Sequence, residues 1–387
     1  MRKLLILIFS FLSIATSAQI RIEGMVLFNT EPIENATVYL NNTSKGTITN
    51  SDGVFSIEVS EGSYQLIVSH IGYKTIEYTL DTSTYNEPLT FLLEEEEFAL
   101  DEVVVSATKN DADRQYNLSV FIREFIGTSE FAKQCVITNL DILQFCFDAQ
   151  TNRLSAEARE PLRIQNKALG YEIYFDLEHF SVHNNFVSQL GYSYFKPLDG
   201  SKRKQRKWQK NRLEAYRGSP IHFFKSVLNN KTEEEGFIIN QFERKVIKPT
   251  FKNLRGSTKQ ISASENQLSF SDYIKKYGKV PRSRDVLYNS DISSSTIISV
   301  DSTNTYLEFD DNLSVVYTEE KEEKGYVLKS GRPRKALPQT SNLLPLTEKS
   351  LILPIGILEN PLSIVFEGYW SYEKFAHTLP LDYEPMN

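Results

Sequence analysis

Gly46-Thr47-Ile48-Thr49-Asn50-Ser51-Asp52-Gly53-Val54-Phe55-Ser56-Ile57-Glu58-Val59 decides the fold of the chain's N-terminal part. Phe55, Ile57 and Val59 alternate with Ser56 and Glu58, the period of a strand with one buried face. Asp52-Gly53 before that run predicts a tight hairpin, because a type I′ turn needs positive φ at both central residues. The same alternation spreads outward on both sides. Ile20, Ile22 and Val26 precede it, then Ala36, Val38 and Leu40, with Gly46 to Asn50 as a strand of its own. Beyond the Glu61-Gly62 turn come Leu66 and Val68, then Ile76, Tyr78 and Leu80, and finally Leu89, Phe91 and Leu93. Residues 19–93 are therefore expected to form about seven short antiparallel strands in two packed sheets, each sending every second side chain into a shared core.

Ahead of this unit, Arg2 and Lys3 are followed by the apolar run Leu4 to Ile14 and the small residues Thr16-Ser17-Ala18. That is the pattern of a secretory signal peptide with cleavage after Ala18. The apolar run is shorter than the ~20 residues a spanning helix needs, and no later stretch reaches that length. The chain carries 43 Lys+Arg, two of them in the leader, against 50 Asp+Glu, for a net charge of −7. An acidic exported chain is a poor nucleic-acid binder. Hydrophobic content of 40% reads as globular, and 20 Tyr and 24 Phe favour strands over helices.

Several stretches of the first unit follow one another in a recognisable order. They are Glu23-Gly24-Met25-Val26, Pro32-Ile33-Glu34-Asn35-Ala36-Thr37-Val38, Gly46 to Phe55, Gly62-Ser63-Tyr64-Gln65-Leu66 and His70-Ile71-Gly72-Tyr73-Lys74. Residues 20–93 so resemble the carboxypeptidase regulatory-like domain, a transthyretin-like β-sandwich. The resemblance implies a non-catalytic module of the kind found at the N-terminus of TonB-dependent outer-membrane receptors and other envelope proteins. It implies location in the periplasm or at the outer-membrane surface of a Gram-negative-type cell. The acidic linker at 94–114 contains Leu100, Asp101, Glu102, Val103, Val104 and Val105, which resemble the segment near the TonB-contacting box of those receptors and imply partner docking. A complete receptor is not expected, because a ~22-stranded barrel needs far more chain than follows position 107.

Residues 115–387 read as a further β-rich region with a few short helices. Leu118 to Ile126 has helical spacing, and Ser129 is placed to cap a second helical piece reaching Lys133. Strand patterns at Leu143–Phe147, Leu154–Ala158, Gly170–Leu177 and Phe186–Phe195 suggest a second sandwich-like unit over about 115–200. A helical insert is expected around 202–230. It opens with Lys202, Arg203, Lys204, Arg206, Lys207, Lys210 and Arg212, with Trp208, Ala215 and Tyr216 on its buried side. Arg203, Lys204, Arg206 and Lys207 are the candidate contacts for an anionic partner such as a surface glycan. The simpler reading is a solvated helix face. Ser219-Pro220 starts the next helix as N-cap and N1. Ile297–Val300, Tyr306–Phe309 and Leu313–Tyr317 read as a meander turning at Asp310-Asp311-Asn312.

No catalytic set is legible. A zinc carboxypeptidase needs a His-x-x-Glu pair. Three residues after His70, His179, His183, His222 and His377 stand Tyr73, Val182, Phe186, Lys225 and Pro380. His179 and His183, four apart in a strand pattern, could share a face and with the adjacent Glu178 offer metal ligands, but they read more simply as surface strand histidines. Cys135 and Cys146 predict one disulfide or two buried thiols. No phosphate loop, dinucleotide loop or nucleophile elbow is present. The chain is expected to be a non-enzymatic envelope protein with a binding or scaffolding role and no cofactor or metal. The alternatives are an accessory component of an outer-membrane uptake system, or a hydrolase with a non-standard site in 115–387.

Overall fold

The computed structural model describes residues 19–96, 111–184, 186–246, 251–252, 258–259, 283–329, 331 and 333–385. The expected leader and the candidate docking residues Leu100 to Val105 lie outside the described residues. The chain divides into two compact units, Met1–Phe98 and Ala99–Asn387.

The first unit is the expected sandwich. One sheet centres on β1 (Ile20–Phe28), which carries β2 (Glu31–Pro32) near its end. The other sheet has the order β4-β3-β6-β7, from β3 (Thr37–Leu40), β4 (Gly46–Ile48), β6 (Ser63–Ser69) and β7 (Ile76–Asp81). β5 (Val54–Val59) joins β1 antiparallel with Ile22 opposite Ile57, and β8 (Leu89–Leu92) joins it with Val26 opposite Phe91. Ile22, Val26, Val38, Leu66 and Val68 have no exposed surface between the sheets. Two details differ from the sequence expectation. There are eight strands, the extra one being the two-residue β2, and β8 runs parallel to β1 because it follows a crossover from the other sheet.

Asp52-Gly53 is a corner between the sheets and not a hairpin, since β4 and β5 belong to different sheets. Only Gly53 has positive φ (71°). Gly53 N–H donates to Asn50 O (2.9 Å), and Asn50 Oδ1 accepts from Asp52 N (3.0 Å) and Val54 N (2.9 Å). Strands that do not pair need no twist-matched I′ turn, so one left-handed glycine is enough. Gly24 serves a different purpose: a Cβ there would lie 2.6 Å from the Phe55 ring, which crosses β1 at that point.

In the second unit, α1 (Asp111–Phe125) precedes a six-stranded antiparallel sheet. Its strands are β9 (Cys135–Ile137), β10 (Leu143–Asp148), β11 (Arg153–Ala158), β12 (Leu162–Asn166), β13 (Tyr171–His183) and β14 (Phe186–Pro197). β14 follows one edge of β13 along its length; β12 and β11 share the other. The expected sandwich is absent here. The second layer is supplied by α1, whose Phe121 and Phe125 pack on Phe180 and Phe175 with ring centroids 4.6 Å and 5.1 Å apart. One amphipathic helix covers the apolar face as a second sheet would.

α2 (Lys202–Tyr216) and α3 (Pro220–Leu228) form as expected, capped by Ser201 and Ser219. The remaining strands are β15 (Phe237–Val246), the two-residue pair β16 (Phe251–Lys252) and β17 (Thr258–Lys259), β18 (Ser283–Asn289), β19 (Ile298–Asp301), β20 (Asn304–Leu307), β21 (Asn312–Lys321), β22 (Pro338–Pro345), β23 (Ser350–Leu353), β24 (Ile357–Leu358) and β25 (Ile364–Gly368). They make a five-stranded sheet, β18-β15-β21-β22-β25, and a four-stranded one, β19-β20-β23-β24. The expected meander breaks at Asp311 (φ 57°), where the chain leaves β20 for a different sheet. Phe223, Phe224 and Val227 of α3 fill the second core with Leu313, Leu343 and Trp370.

α4 (Lys324–Lys329) and α5 (Tyr369–Glu373) are short. Just after α5 the chain leaves the second core and enters the first, where Phe375, Ala376 and Leu379 are buried among residues of α1 and its sheet. Phe375 stacks on Phe125 at 4.7 Å, and buried Asn166 donates from Nδ2 to Ala376 O (2.9 Å). Trp370 stays in the second core and donates from Nε1 to Gly218 O (2.6 Å).

Candidate functional site

α2 is fastened to the 167–171 turn by its inward face. Trp208 Nε1 donates to Lys167 O (3.0 Å), Asn211 Nδ2 to Ala168 O (2.7 Å) and Arg212 Nε to Leu169 O (2.7 Å). The Arg212 guanidinium also lies 4.0 Å from the centre of the Tyr171 ring. Of the seven cations read from the sequence, Arg212 is thus an anchor. Lys202, Arg203, Lys204, Arg206, Lys207 and Lys210 are all exposed. They include the four candidate anion contacts, which the structure brings onto one helix.

The sequence reading missed a polar cluster inside the second unit. His377 Nε2 lies 2.8 Å from Ser129 Oγ, and its Nδ1 lies 3.5 Å from Glu373 Oε1 without a hydrogen bond. Ser129 sits before a short 3-10 turn and also accepts Ala132 N–H (3.1 Å). Tyr372 donates to Glu323 Oε2 (3.0 Å), and Gln339 donates to Glu320 Oε2 (3.3 Å). Burial, then the charges of Glu320 and Glu323, hold the Glu373 carboxyl well above the usual carboxylate range. Burial, with the Glu214 charge, pushes Glu320 up to about 7. Burial alone pushes the His377 imidazole down to about 3. The cluster thus favours the protonated form of Glu373, and at neutral pH His377 is an uncharged imidazole.

Serine, histidine and carboxylate in this order are the parts of a nucleophile relay. The geometry here closes the relay. Ser129 has no exposed surface, and its oxygen is engaged as a cap. An imidazole so far below its usual range is a poor base near neutrality. The arrangement instead ties the C-terminal segment to the loop after α1, alongside the ion pair from Lys374 Nζ to Glu124 (3.1 Å). No sequence signal could have found it, because Ser129 and His377 are 248 residues apart.

The other candidates separate. Among the described residues no group of three or more His, Cys, Asp or Glu is placed to hold a metal ion. His179 is bonded to Ser188 Oγ (2.9 Å) across the β13–β14 hairpin. Neither a disulfide nor two buried thiols is found. Cys135 and Cys146 are free, and Cys146 is exposed. They stand on β9 and β10, the two ends of the order β10-β11-β13-β12-β9, many ångströms beyond disulfide reach at about 4.8 Å per strand. His222 is buried; its Nδ1 accepts Gly218 N–H (3.1 Å) and its Nε2 faces Glu235 (3.1 Å), so it reads as a satisfied core histidine. An open hollow of about 320 Å³ lies on the sandwich between β7 and β8, lined by Tyr78, Asp81, Tyr85, Asn86 and Glu87. No described helix is long and apolar enough to cross a membrane.

Residues 22–105 match the family model of the CarboxypepD_reg-like domain. This part of the chain is a CarboxypepD_reg-like domain. The matched interval covers the sandwich and runs on through Leu100–Val105. A stretch of 107 residues is 36% identical to the TonB-dependent receptor SusC of Bacteroides thetaiotaomicron, covering 26% of this chain and 10% of the receptor. The chain so matches about a tenth of that receptor's length. Two solved structures overlay on most of the chain at a TM-score of 0.17 each. One is a DUF3823 family protein from Bacteroides ovatus, with 8% identity over 77% of this chain and 90% of that one. The other is a protein of unknown function from Bacteroides fragilis, with 10% identity over 86% of this chain and 92% of that one. Overlays this loose carry no functional argument, and the CarboxypepD_reg-like match stands on the sequence of the sandwich.

Proposed function

We propose that this chain is an exported, non-enzymatic envelope protein whose CarboxypepD_reg-like sandwich serves as a binding or scaffolding module. The observation that carries the reading is the match over residues 22–105, a domain type shared with a TonB-dependent receptor. The closed Ser129–His377–Glu373 arrangement supports the non-enzymatic part, since Ser129 offers no surface to a substrate. A second reading, an accessory component of an outer-membrane uptake system docking through Leu100 to Val105, is favoured by the matched interval running past the last strand. Fractionation of cells expressing the tagged full chain, followed by cross-linking and pull-down from detergent-solubilised envelope, tests both. The envelope fraction is expected to hold the protein, and deletion of residues 94–107 is expected to remove a specific partner while leaving both units folded. Recovery in the cytoplasm overturns the first reading; an unchanged partner set after the deletion overturns the second.

A further inference from the structure

We propose that the outer face of α2 is an electrostatic docking surface for an anionic phospholipid bilayer. At 100° per residue, Lys202, Arg203, Arg206, Lys207 and Lys210 fall within an arc of about 140°, spread along about 12 Å of helix. Trp208, Asn211 and Ala215, the buried residues of α2, lie on the opposite side. These five cations are exposed, as is Lys204, which lies round toward the buried side; among the described residues none of the six makes an ion pair, and Lys207 reaches only the neutral Gln134 Oε1 (3.3 Å). Glu214 is the sole acid on the helix, one turn beyond Lys210. Lys202, Arg203 and Lys204 also occupy the first turn, the positive end of the helix dipole, which has no acidic residue. Cations are disfavoured there. The face therefore holds five cations against one acid, Glu214, whose carboxylate feels the Lys210 charge, in a chain whose net charge is −7. An anionic plane would repel the acidic remainder and attract this stripe, which fixes an orientation as well as an affinity.

The shape of the stripe selects a planar partner over a polymer. It sits on the exposed outer side of a 15-residue helix. The aromatic nearest the cations, Trp208, is 7% exposed and bonded to Lys167 O, so it is not free to stack on a sugar or base. Of the other residues on this arc, Leu213 is half-buried and Glu214 is exposed, and the flanking Gln205 and Gln209 are polar, so contact is with headgroups through the long cationic side chains.

Co-sedimentation of the full-length protein without its leader, using phosphatidylcholine vesicles with and without phosphatidylglycerol, tests the proposal. Binding is expected only to the phosphatidylglycerol vesicles and is expected to weaken steeply with NaCl. Neutralising Arg203→Gln, Arg206→Gln, Lys207→Gln and Lys210→Gln together should reduce it more than a hundredfold, at roughly fivefold per charge. Neutralising the equally exposed Arg153, Lys231, Lys335 and Lys349 to Gln should change it by less than about tenfold. The proposal is overturned if the α2 variant binds like the parent, if both variants lose binding equally, or if the protein binds a phosphorylated polysaccharide or duplex DNA and no vesicle. Circular-dichroism melts of both variants establish that they remain folded.

Discussion

The sandwich and the first core of the second unit solve the same problem in opposite ways. The sandwich builds its interior from one continuous stretch of chain, and the polar side chains buried in it are the uncharged hydroxyls of Thr43, Thr49 and Thr82. The α1 core also closes on Phe375, Ala376 and Leu379, which arrive from the far end of the chain, and it keeps Ser129, Glu373 and His377 inside. The sandwich thus closes its core with residues of its own stretch alone. The α1 core cannot be complete until the C-terminal segment has docked.

Three experiments break or sharpen this contrast. The largest effect is expected from Phe375→Ala, which removes a ring, 5% exposed, stacked on Phe125 and set edge-on to Phe175. A loss of about 3–5 kcal/mol is expected in the second unit's denaturant transition, with the sandwich's transition unmoved. A matching shift in both transitions would show that the units do not fold independently.

The polar interior gives the next effect, read as pH dependence. Glu373 is raised in the folded state, so its contribution is fully present below the unfolded value near 4.5 and is lost as pH rises toward the folded value. His377 is lowered to about 3, so its contribution is present above the unfolded value near 6.5 and is lost as pH falls toward 3. The second unit should be most stable between about pH 4.5 and 6.5. Glu373→Gln should flatten the alkaline limb by up to about 1.4 kcal/mol per pH unit and leave the acid limb. The groups facing Glu373 include Glu320, Glu323, Tyr369, Tyr372 and His377. An alkaline slope that survives in the variant would assign it to Glu320 instead.

Gly53→Ala is the smallest change and acts on the other side of the comparison. The position has φ 71°, and a Cβ would approach Val26 O at 2.6 Å. A loss of about 1–2 kcal/mol is expected in the sandwich transition alone. An unaffected sandwich would mean that the corner can be rebuilt without a left-handed residue.

Where the argument rested on neighbours in sequence, it was legible. Phe55, Ile57 and Val59 are buried on alternate positions of β5, as their spacing requires, and Ser219-Pro220 caps α3. Trp208 and Ala215 place the buried side of α2, and so its basic face, from spacing alone. The corner at Gly53 was found, but its geometry depended on which sheet each flanking strand joins, and that is a pairing between distant residues. The α1 layer was read as a second sheet because an alternating strand records that one face is covered and does not record by what.

The sequence by itself determined the N-terminal module, its strand phases and the cation stripe on α2, because local periodicity and turn chemistry act within a few residues. Only the tertiary structure decided that Cys135 and Cys146 stand at different edges of a sheet, that Arg212 is an anchor, and that His377 meets Ser129 across 248 positions. Such contacts depend on strand order and on where the last dozen residues dock. Those are set by the summed burial of the whole second unit, which no single stretch of sequence contains.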